Sequence, residues 1–343
     1  MTLFSVWECW WLAPLAVAMD LALGDPQLPW RHPVCAVGRL LDILERPARR
    51  CMEQGSPGRK AARGRLAGAV ALVILVGAVC VVTGALIALP VLGTLAAIYL
   101  AWAGLAMGSL LSTGREVLIR VEHSAVGEAR QALSWLVSRE TADMERPLMR
   151  KTLADTLSEN LTDAFVAPLF WLLVAGPIGL WGYKAVSTAD SMWGYVTEKW
   201  RFLGWAGARA DDVLAFVPAR ISVCLVFVTD VVARIGVLRG TSRPWTGHWP
   251  GWHVLAQQAR GMPSPNSGWS MTACAWLCGA RMAGPSVYFG TYTPKPWLGP
   301  DVAHPWDAER LKALCSLLRR TAIVGGAVLC LAFLSIKALT GAC

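Results

Sequence analysis

The sequence predicts an all-α, polytopic integral membrane bundle with re-entrant or broken segments and a loop-rich cytoplasmic cap. Three observations carry this. Only 16% of the 343 residues are charged and 55% are hydrophobic, against about 25% charged in an average soluble domain. Residues 66–89 hold no charge, and as a helix they would run roughly 36 Å, longer than a hydrocarbon core of about 30 Å. Further apolar runs follow at 91–111 and 321–339, the latter interrupted only by Lys337. The mean hydropathy of +0.45 agrees. The chain reads as one integral membrane domain over 1–343.

The elements follow in order. Residues 1–23 are apolar, lack a basic start, enclose Glu8 and meet no small-residue cleavage site, so a retained membrane segment fits better than a signal peptide. Eight basic residues from Arg39 to Arg65 precede the 66–89 span, which places that loop in the cytoplasm. The spans 66–89 and 91–111 form a hairpin turning near Pro90 and return at Arg115, Arg120 and Arg130. Residues 113–138 read as an amphipathic helix with Val117, Val121, Leu133 and Leu136 inward.

The run 165–180 is short and carries Pro168, Gly176, Pro177 and Gly179, which suits a broken or re-entrant segment. The run 221–232 follows Pro218 and ends at Asp230 and Arg234. Arg319 and Arg320 start the last span in the cytoplasm. Charge balance requires that both middle runs cross or that neither does; the reading favours neither. Residues 240–318, rich in Pro, Gly and Trp, are expected to form a cytoplasmic cap or lid. Trp7, Trp10, Trp11, Trp193, Trp200 and Trp205 lie near the ends of apolar runs, as interfacial anchors do.

Ten cysteines without a CxxC pair suggest packing residues and no disulfide framework. The net charge of +9 follows from basic loops, and no nucleic-acid module accompanies it.

Polar chemistry concentrates between Asp155 and Arg220. Asp155, Glu159 and Asp163 fall at i, i+4 and i+8, one stripe of a helix. Such carboxylates repel unless a cation, protons or a metal shares the space. Mg²⁺ suits them, because it takes one or two carboxylates plus substrate phosphates; a solvated helix face is the plain alternative. Lys184 shares a face with Thr188, Ser191 and Tyr195, while Asp190 points elsewhere. That lysine suits a phosphate or acyl phosphate, or else an internal Lys–Asp salt bridge. Asp211 and Asp212 suggest a metal or phosphate site, or the N-terminal cap of a helix. Asn266 contacts a substrate amide or caps a helix, and a lone His32 in a Pro-rich loop is more often structural. The sequence has no Walker A loop, GxGxxG, HExxH or nucleophile elbow, so any nucleotide site is unconventional.

Several segments, taken together, resemble the adenosylcobinamide-phosphate synthase family of cobalamin biosynthesis (CbiB, also called CobD). They are Leu23-Gly24-Asp25-Pro26, His32-Pro33-Val34, Arg139-Glu140-Thr141, Glu159-Asn160 with Asp163, Ala167-Pro168-Leu169-Phe170, Tyr183-Lys184-Ala185, Asp190-Ser191-Met192, Asp211-Asp212-Val213, Pro218-Ala219-Arg220, Ser264-Pro265-Asn266, Tyr288-Phe289-Gly290 and Lys295-Pro296-Trp297-Leu298-Gly299. The chain departs from the family at Glu140, Asp155, Ala164 and Ser187, which bears on exact geometry.

The resemblance implies an enzyme of the bacterial inner membrane that joins adenosylcobyric acid to (R)-1-aminopropan-2-ol O-phosphate, or ethanolamine phosphate, through an amide bond with ATP. It supplies positions, and charge type supplies roles. Glu159 and Asp163, supported by Asp211 or Asp212, would hold Mg²⁺. Arg139, Lys184 and Arg220 would bind phosphates, and Asp190 would take a proton from the incoming ammonium. His32, Asn266 and Tyr288 would contact the corrinoid, with Thr141 and Asn160 also in the substrate site. Partners beyond the substrates and the lipid bilayer would be a second copy or other membrane enzymes of the pathway, with no nucleic acid. Two other readings stay open: a transporter of an anionic metabolite, and a non-catalytic membrane sensor of the AmpE type.

Overall fold

The computed structural model describes residues 11–26, 32–54, 57–195, 197–237, 242–288 and 291–340. Readings that fall on Trp7, Glu8, Cys9, Trp10, Phe289, Gly290 and Cys343 lie outside them. The described chain is helical, in chain order α1 Leu12–Leu23, α2 Pro33–Glu53, α3 Lys60–Ile87, α4 Gly93–Gly104, α5 Met107–His123, α6 Val126–Ser134, α7 Arg146–Leu161, α8 Ala167–Trp193, α9 Trp205–Leu214, α10 Phe216–Val237, α11 Trp252–Arg260, α12 Ser267–Cys278 and α13 Ala308–Thr340. A π turn, Thr162–Val166, joins α7 to α8. Sheet is confined to two antiparallel pairs, β1 Met282–Ala283 with β4 Trp297–Leu298, and β2 Ser286–Tyr288 with β3 Thr291–Thr293.

Among the described residues five stretches are long and apolar enough to cross a membrane: Lys60–Ile87, Gly93–His123, Arg146–Trp193, Phe216–Gly236 and Ala308–Ile336. The predicted polytopic helical class is therefore the observed one. The chain divides into two compact units. The first comprises Met1–Leu105, Ala167–Ala215 and Cys330–Cys343, and the second Ala106–Val166 and Phe216–Leu329.

In the first unit, α2 starts where His32 caps it, its Nδ1 accepting from the Val34 N–H at 3.3 Å, with Pro33 at the first helical position. The buried face of α3 begins with small residues, Gly64, Ala67, Gly68 and Ala71, and continues through Leu75, Thr83 and Ile87. A Cβ on Gly68 would stand 2.0 Å from the Leu203 carbonyl oxygen, so only glycine lets that backbone approach. The opposite face of α3, with Leu66, Val73 and Val81, is exposed and apolar, as a lipid-facing helix requires.

In the second unit, α12 and α7 form the core. Ten of the twelve residues of α12 are buried, so part of the expected cap is an interior helix. Burial surrounds α7 as well and takes in Lys151, Thr152, Asp155, Thr156 and Ser158. A helix polar on several buried sides must satisfy those groups internally.

Three prolines explain the irregular joints. Pro168 has no N–H for the Ala164 carbonyl four residues earlier, and the Ala106 N–H supplies the bond at 2.9 Å. Pro218 likewise leaves the Leu214 carbonyl, which accepts from Trp171 Nε1 at 3.2 Å. Before Pro177, α8 kinks at Ala175 and Gly176, the latter with φ 63°.

Four expectations are revised. The run 91–111 is divided at Leu105–Ala106 between α4 and α5, because the Ala106 amide turns to Ala164. The helix expected over 113–138 is two helices, α5 and α6, parted at Ser124–Ala125; Val117, Val121 and Leu133 are buried as expected, and Leu136 is half-buried beyond the end of α6. The 165–180 run is broken as expected but not short, since α8 continues to Trp193. It and α10 are both long enough to cross, which removes length as a reason for favouring neither. Trp193 is buried and stacks on Trp200 at 5.4 Å rather than lying at an interface.

The eight described cysteines form no disulfide. Burial pushes the Cys274 thiol up to about 12, and Cys278 also rises, as in inert packing residues.

Candidate functional site

The second unit holds a buried ionic centre on α7. Asp155 has no exposed surface. Its Oδ2 accepts from Arg139 Nη1 at 2.7 Å and from Lys151 Nζ at 2.9 Å, and its Oδ1 accepts from the Ala283 N–H at 2.9 Å. Ala283 lies in the left-handed region with φ 58°, unusual for a residue with a Cβ. Strain of that kind persists where surrounding contacts over-determine it. Here the β1–β4 pairing sets Ala283 opposite Trp297, and Lys151 Nζ lies 5.3 Å from the centroid of the Trp297 ring.

Glu159, one turn beyond Asp155 and half-buried, has Lys295, Arg139 and Asp155 within electrostatic reach. Arg139 and Lys151 thus pair with Asp155, and Arg139 and Lys295 stand near Glu159, so lysine and arginine accompany the carboxylates of the stripe. Asp163 falls in the π turn, where the backbone bonding widens to i→i+5. Asn160 donates from Nδ2 to the Thr156 carbonyl at 2.9 Å. Thr141 is buried, and its carbonyl closes the turn before α7 by accepting from the Met144 N–H.

A second feature of this unit is Arg220 on α10. Nη1 donates to Asn266 Oδ1 at 2.8 Å and to the Phe216 carbonyl, and Nη2 to the Pro265 carbonyl. The guanidinium stacks 3.5 Å from the Phe216 ring centroid and 4.6 Å from that of Trp269. Its described hydrogen-bond partners are all neutral, and Arg260 is its cationic neighbour. Asn266 stands at the N-cap position of α12 but makes no side-chain cap bond; its oxygen serves Arg220 instead. Tyr288 pairs with Thr291 through the backbone of β2 and β3, and its side chain lies outside the described residues.

The first unit carries the remaining residues. A Cβ on Gly204 would meet the Trp193 carbonyl at 1.7 Å, and one on Gly207 would lie 3.5 Å from Ala189 and the Asp190 nitrogen. The two contacts run α9 antiparallel to α8. One turn beyond Gly207, Asp211 lies level with the turn of α8 that begins at Lys184. Asp190 and Asp212 interact electrostatically, and Asp212 also pairs with the exposed Arg209 at 3.1 Å. The capping explanation for Asp211-Asp212 fails, because both sit in the last turn of α9, where acids oppose the helix dipole. The hydroxyl of Thr188 bonds back to the Lys184 carbonyl at 2.7 Å.

His32 Nε2 is buried and, among the described residues, makes no well-formed hydrogen bond, with the Ala103 backbone as a polar neighbour. Burial lowers the His32 pKa below 6.5; the Asp25 carboxylate works against that and Lys184 adds to it. His32 is thus both the helix cap that the plain reading expected and a neighbour of Lys184.

The proposed metal set is divided: Glu159 and Asp163 belong to the second unit, Asp211 and Asp212 to the first. Among the described residues no three His, Cys, Asp or Glu side chains group to hold a metal. Sequence reasoning gave no role to Lys151 or Lys295. Lys151 was findable as the i−4 partner of Asp155; nothing local marks Lys295, whose meaning depends on a contact over more than 130 positions.

Fold and site together define a multi-pass helical membrane protein with an internal, charge-compensated polar centre. A family model described as CobD/Cbib protein matches residues 13–318. The chain is 34% identical over 315 residues to the cobalamin biosynthesis protein CobD of Pelobacter propionicus, covering 90% of each. It is also 34% identical to CbiB of Salmonella choleraesuis, covering 86% of each, and to CobD of Geobacter metallireducens, covering 88% of this chain and 90% of that one. The chain belongs to the CobD/CbiB family. No solved structure matches it.

Proposed function

We propose that this chain works in cobalamin biosynthesis as an amide-forming ligase of the inner membrane, joining adenosylcobyric acid to an amino-alcohol phosphate at the expense of ATP. The single observation that carries the reading is the gathering of Arg139, Lys151 and Lys295 at the Asp155–Glu159 centre, within a family whose relatives are named cobalamin biosynthesis proteins.

A free carboxylate does not react with an amine until one of its oxygens becomes a leaving group. Phosphoryl transfer from ATP achieves that, giving an acyl phosphate and ADP. The amine then attacks the acyl carbon, the C–N bond forms, and phosphate departs with the oxygen. Arg139, Lys151 and Lys295 suit the anionic groups of this sequence, because fixed cations in a site of low dielectric stabilise charge that develops on transferring oxygens. Arg220, stacked and bonded only to neutral acceptors among the described residues, suits a phosphate that needs a planar donor pair.

The first unit holds acidic groups of its own. Asp211 and Asp212 are hard oxygen donors of the kind that Mg²⁺ takes beside substrate phosphates, and they fit that ion better than Glu159 with its cationic neighbours. Mg²⁺ would supply neutralisation of the nucleotide's phosphates. Asp190 is assigned to accept the proton that the substrate ammonium must lose before it attacks. His32, neutral at pH 7, orients rather than charges the site.

The test is direct. Detergent-purified protein, incubated with ATP, Mg²⁺, adenosylcobyric acid and aminopropanol phosphate, is expected to form the amide, read by mass spectrometry. Absence of product under conditions where the protein stays folded contradicts the reading.

A further inference from the structure

The C-terminal end of α10 and the middle of α13 carry a cationic group that the proposed reaction does not use. The buried carboxylate of Asp230 is its centre. Oδ2 accepts from Arg234 Nε at 2.7 Å, and Oδ1 accepts from Arg243 Nε at 2.8 Å and from Trp245 Nε1 at 2.6 Å. Arg320 joins from α13. Its guanidinium lies 5.6 Å from the centroid of the Trp245 ring, and its Nη1 donates to the Ser242 carbonyl at 2.9 Å. Two guanidinium groups pair with one carboxylate and a third stands across the Trp245 ring, so cations outnumber the acid at a point where Asp230 already fixes the geometry. Arg234 is half exposed, and Arg243 keeps a donor on the Gly247 carbonyl.

Position adds a second observation. A Cβ on Gly325 would stand 2.9 Å from the Leu225 side chain, so α13 packs on α10 there, and Arg320 and Asp230 both meet Trp245. Val231, Arg234 and Ile235 occupy one face of α10 by i, i+3, i+4 spacing, and Val231 and Ile235 are exposed. Ile323, also exposed, is three residues on from Arg320 along α13. Both stretches belong to segments long and apolar enough to cross a membrane. An exposed apolar surface therefore continues directly from the arginine group on both helices.

We propose that Arg234, Arg243 and Arg320 bind the phosphate of an anionic glycerophospholipid, with its acyl chains lying along Val231, Ile235 and Ile323. Charge alone would suit any phosphate. The apolar surface beside it selects a phosphate that carries hydrocarbon, and basic groups at the ends of membrane helices are where anionic headgroups bind. The buried Trp245 and Asp230 hold the guanidinium planes in place, so the site needs little ordering when lipid arrives.

Native mass spectrometry of the full chain in detergent, titrated with phosphatidylglycerol, phosphatidylcholine or glycerol phosphate, tests this. The wild type is expected to retain phosphatidylglycerol in preference to the other two. The Arg234→Gln/Arg320→Gln double variant is expected to bind it roughly thirtyfold more weakly, while Arg46→Gln/Arg50→Gln, an equal loss of charge elsewhere, keeps wild-type retention. Equal retention of phosphatidylcholine, or displacement of lipid by glycerol phosphate at matched concentration, overturns the proposal. So does equal weakening in both double variants. The wild-type titration decides the point even if the first double variant fails to fold.

Discussion

The backbone N–H of Ala283 reaches across 128 positions of sequence to donate to the carboxylate of Asp155 at 2.9 Å. That bond ties a strained turn to the one acid that also holds Arg139 and Lys151. It makes Asp155 the organiser of the centre, and the proposed reaction gives Glu159, beside it, the task of holding Arg139 and Lys295 toward the substrate.

Asp155→Asn and Glu159→Gln should therefore fail differently. Removing the charge of Asp155 strands two buried cations, and breaking a buried pair costs about 3–5 kcal/mol. The midpoint of thermal denaturation in detergent should fall by roughly 5–15 °C. Glu159→Gln should insert and melt as the wild type does, yet lose amide synthesis by at least ~100-fold. Near-normal turnover in Glu159→Gln removes that residue from the site.

Arg220→Lys keeps the charge but loses the planar fork and the stacking on Phe216 and Trp269. The KM for the phosphate-bearing amine should rise by roughly tenfold, with a smaller change in kcat. Steady-state kinetics in which kcat alone falls would place Arg220 elsewhere in the reaction.

His32 gives a pH signature. Its pKa is lowered in the folded state, so between the folded value and the unfolded 6.5 the unfolded chain binds more protons. Stability from this group is complete above pH 6.5 and declines as pH falls through the folded value. Protonation also removes the Nδ1 lone pair that accepts from Val34. In melts from pH 7.5 to 5, His32→Asn, which still caps the helix, should lose less stability than the wild type.

Sidedness is open to labelling. Ser191, exposed near the end of α8, replaced by cysteine in a background without the exposed Cys35, Cys51 and Cys224, should react with an impermeant maleimide only from the cytoplasmic side, where ATP is. Labelling from the opposite side alone would conflict with the use of ATP at Asp190.

The sequence announces some of this and conceals the rest, for physical reasons. Pro90 ends a charge-free run, and Gly176-Pro177 breaks another, so the hairpin turn and the kink were both legible. The break at Leu105–Ala106 was not. It arises because the Ala106 amide serves a carbonyl that Pro168 leaves unpaired, a tertiary event with no local mark. The π turn at Thr162–Val166 was hidden for the same reason. The acids of the Asp155–Arg220 stretch were visible as costly charges in an apolar chain, but the cations that compensate them on one side, Lys151 and Lys295, acquire meaning only once β1 and β4 fold against α7. Family resemblance supplied positions that charge pattern alone left ambiguous.

The most direct measurement follows oxygen. Adenosylcobyric acid labelled with ¹⁸O in its free carboxylate is turned over with ATP and the amino-alcohol phosphate, and the phosphorus products are analysed by mass. Carboxylate activation by phosphoryl transfer predicts one ¹⁸O in each inorganic phosphate released and one in the amide. Unlabelled phosphate, or label found in AMP, would contradict the mechanism.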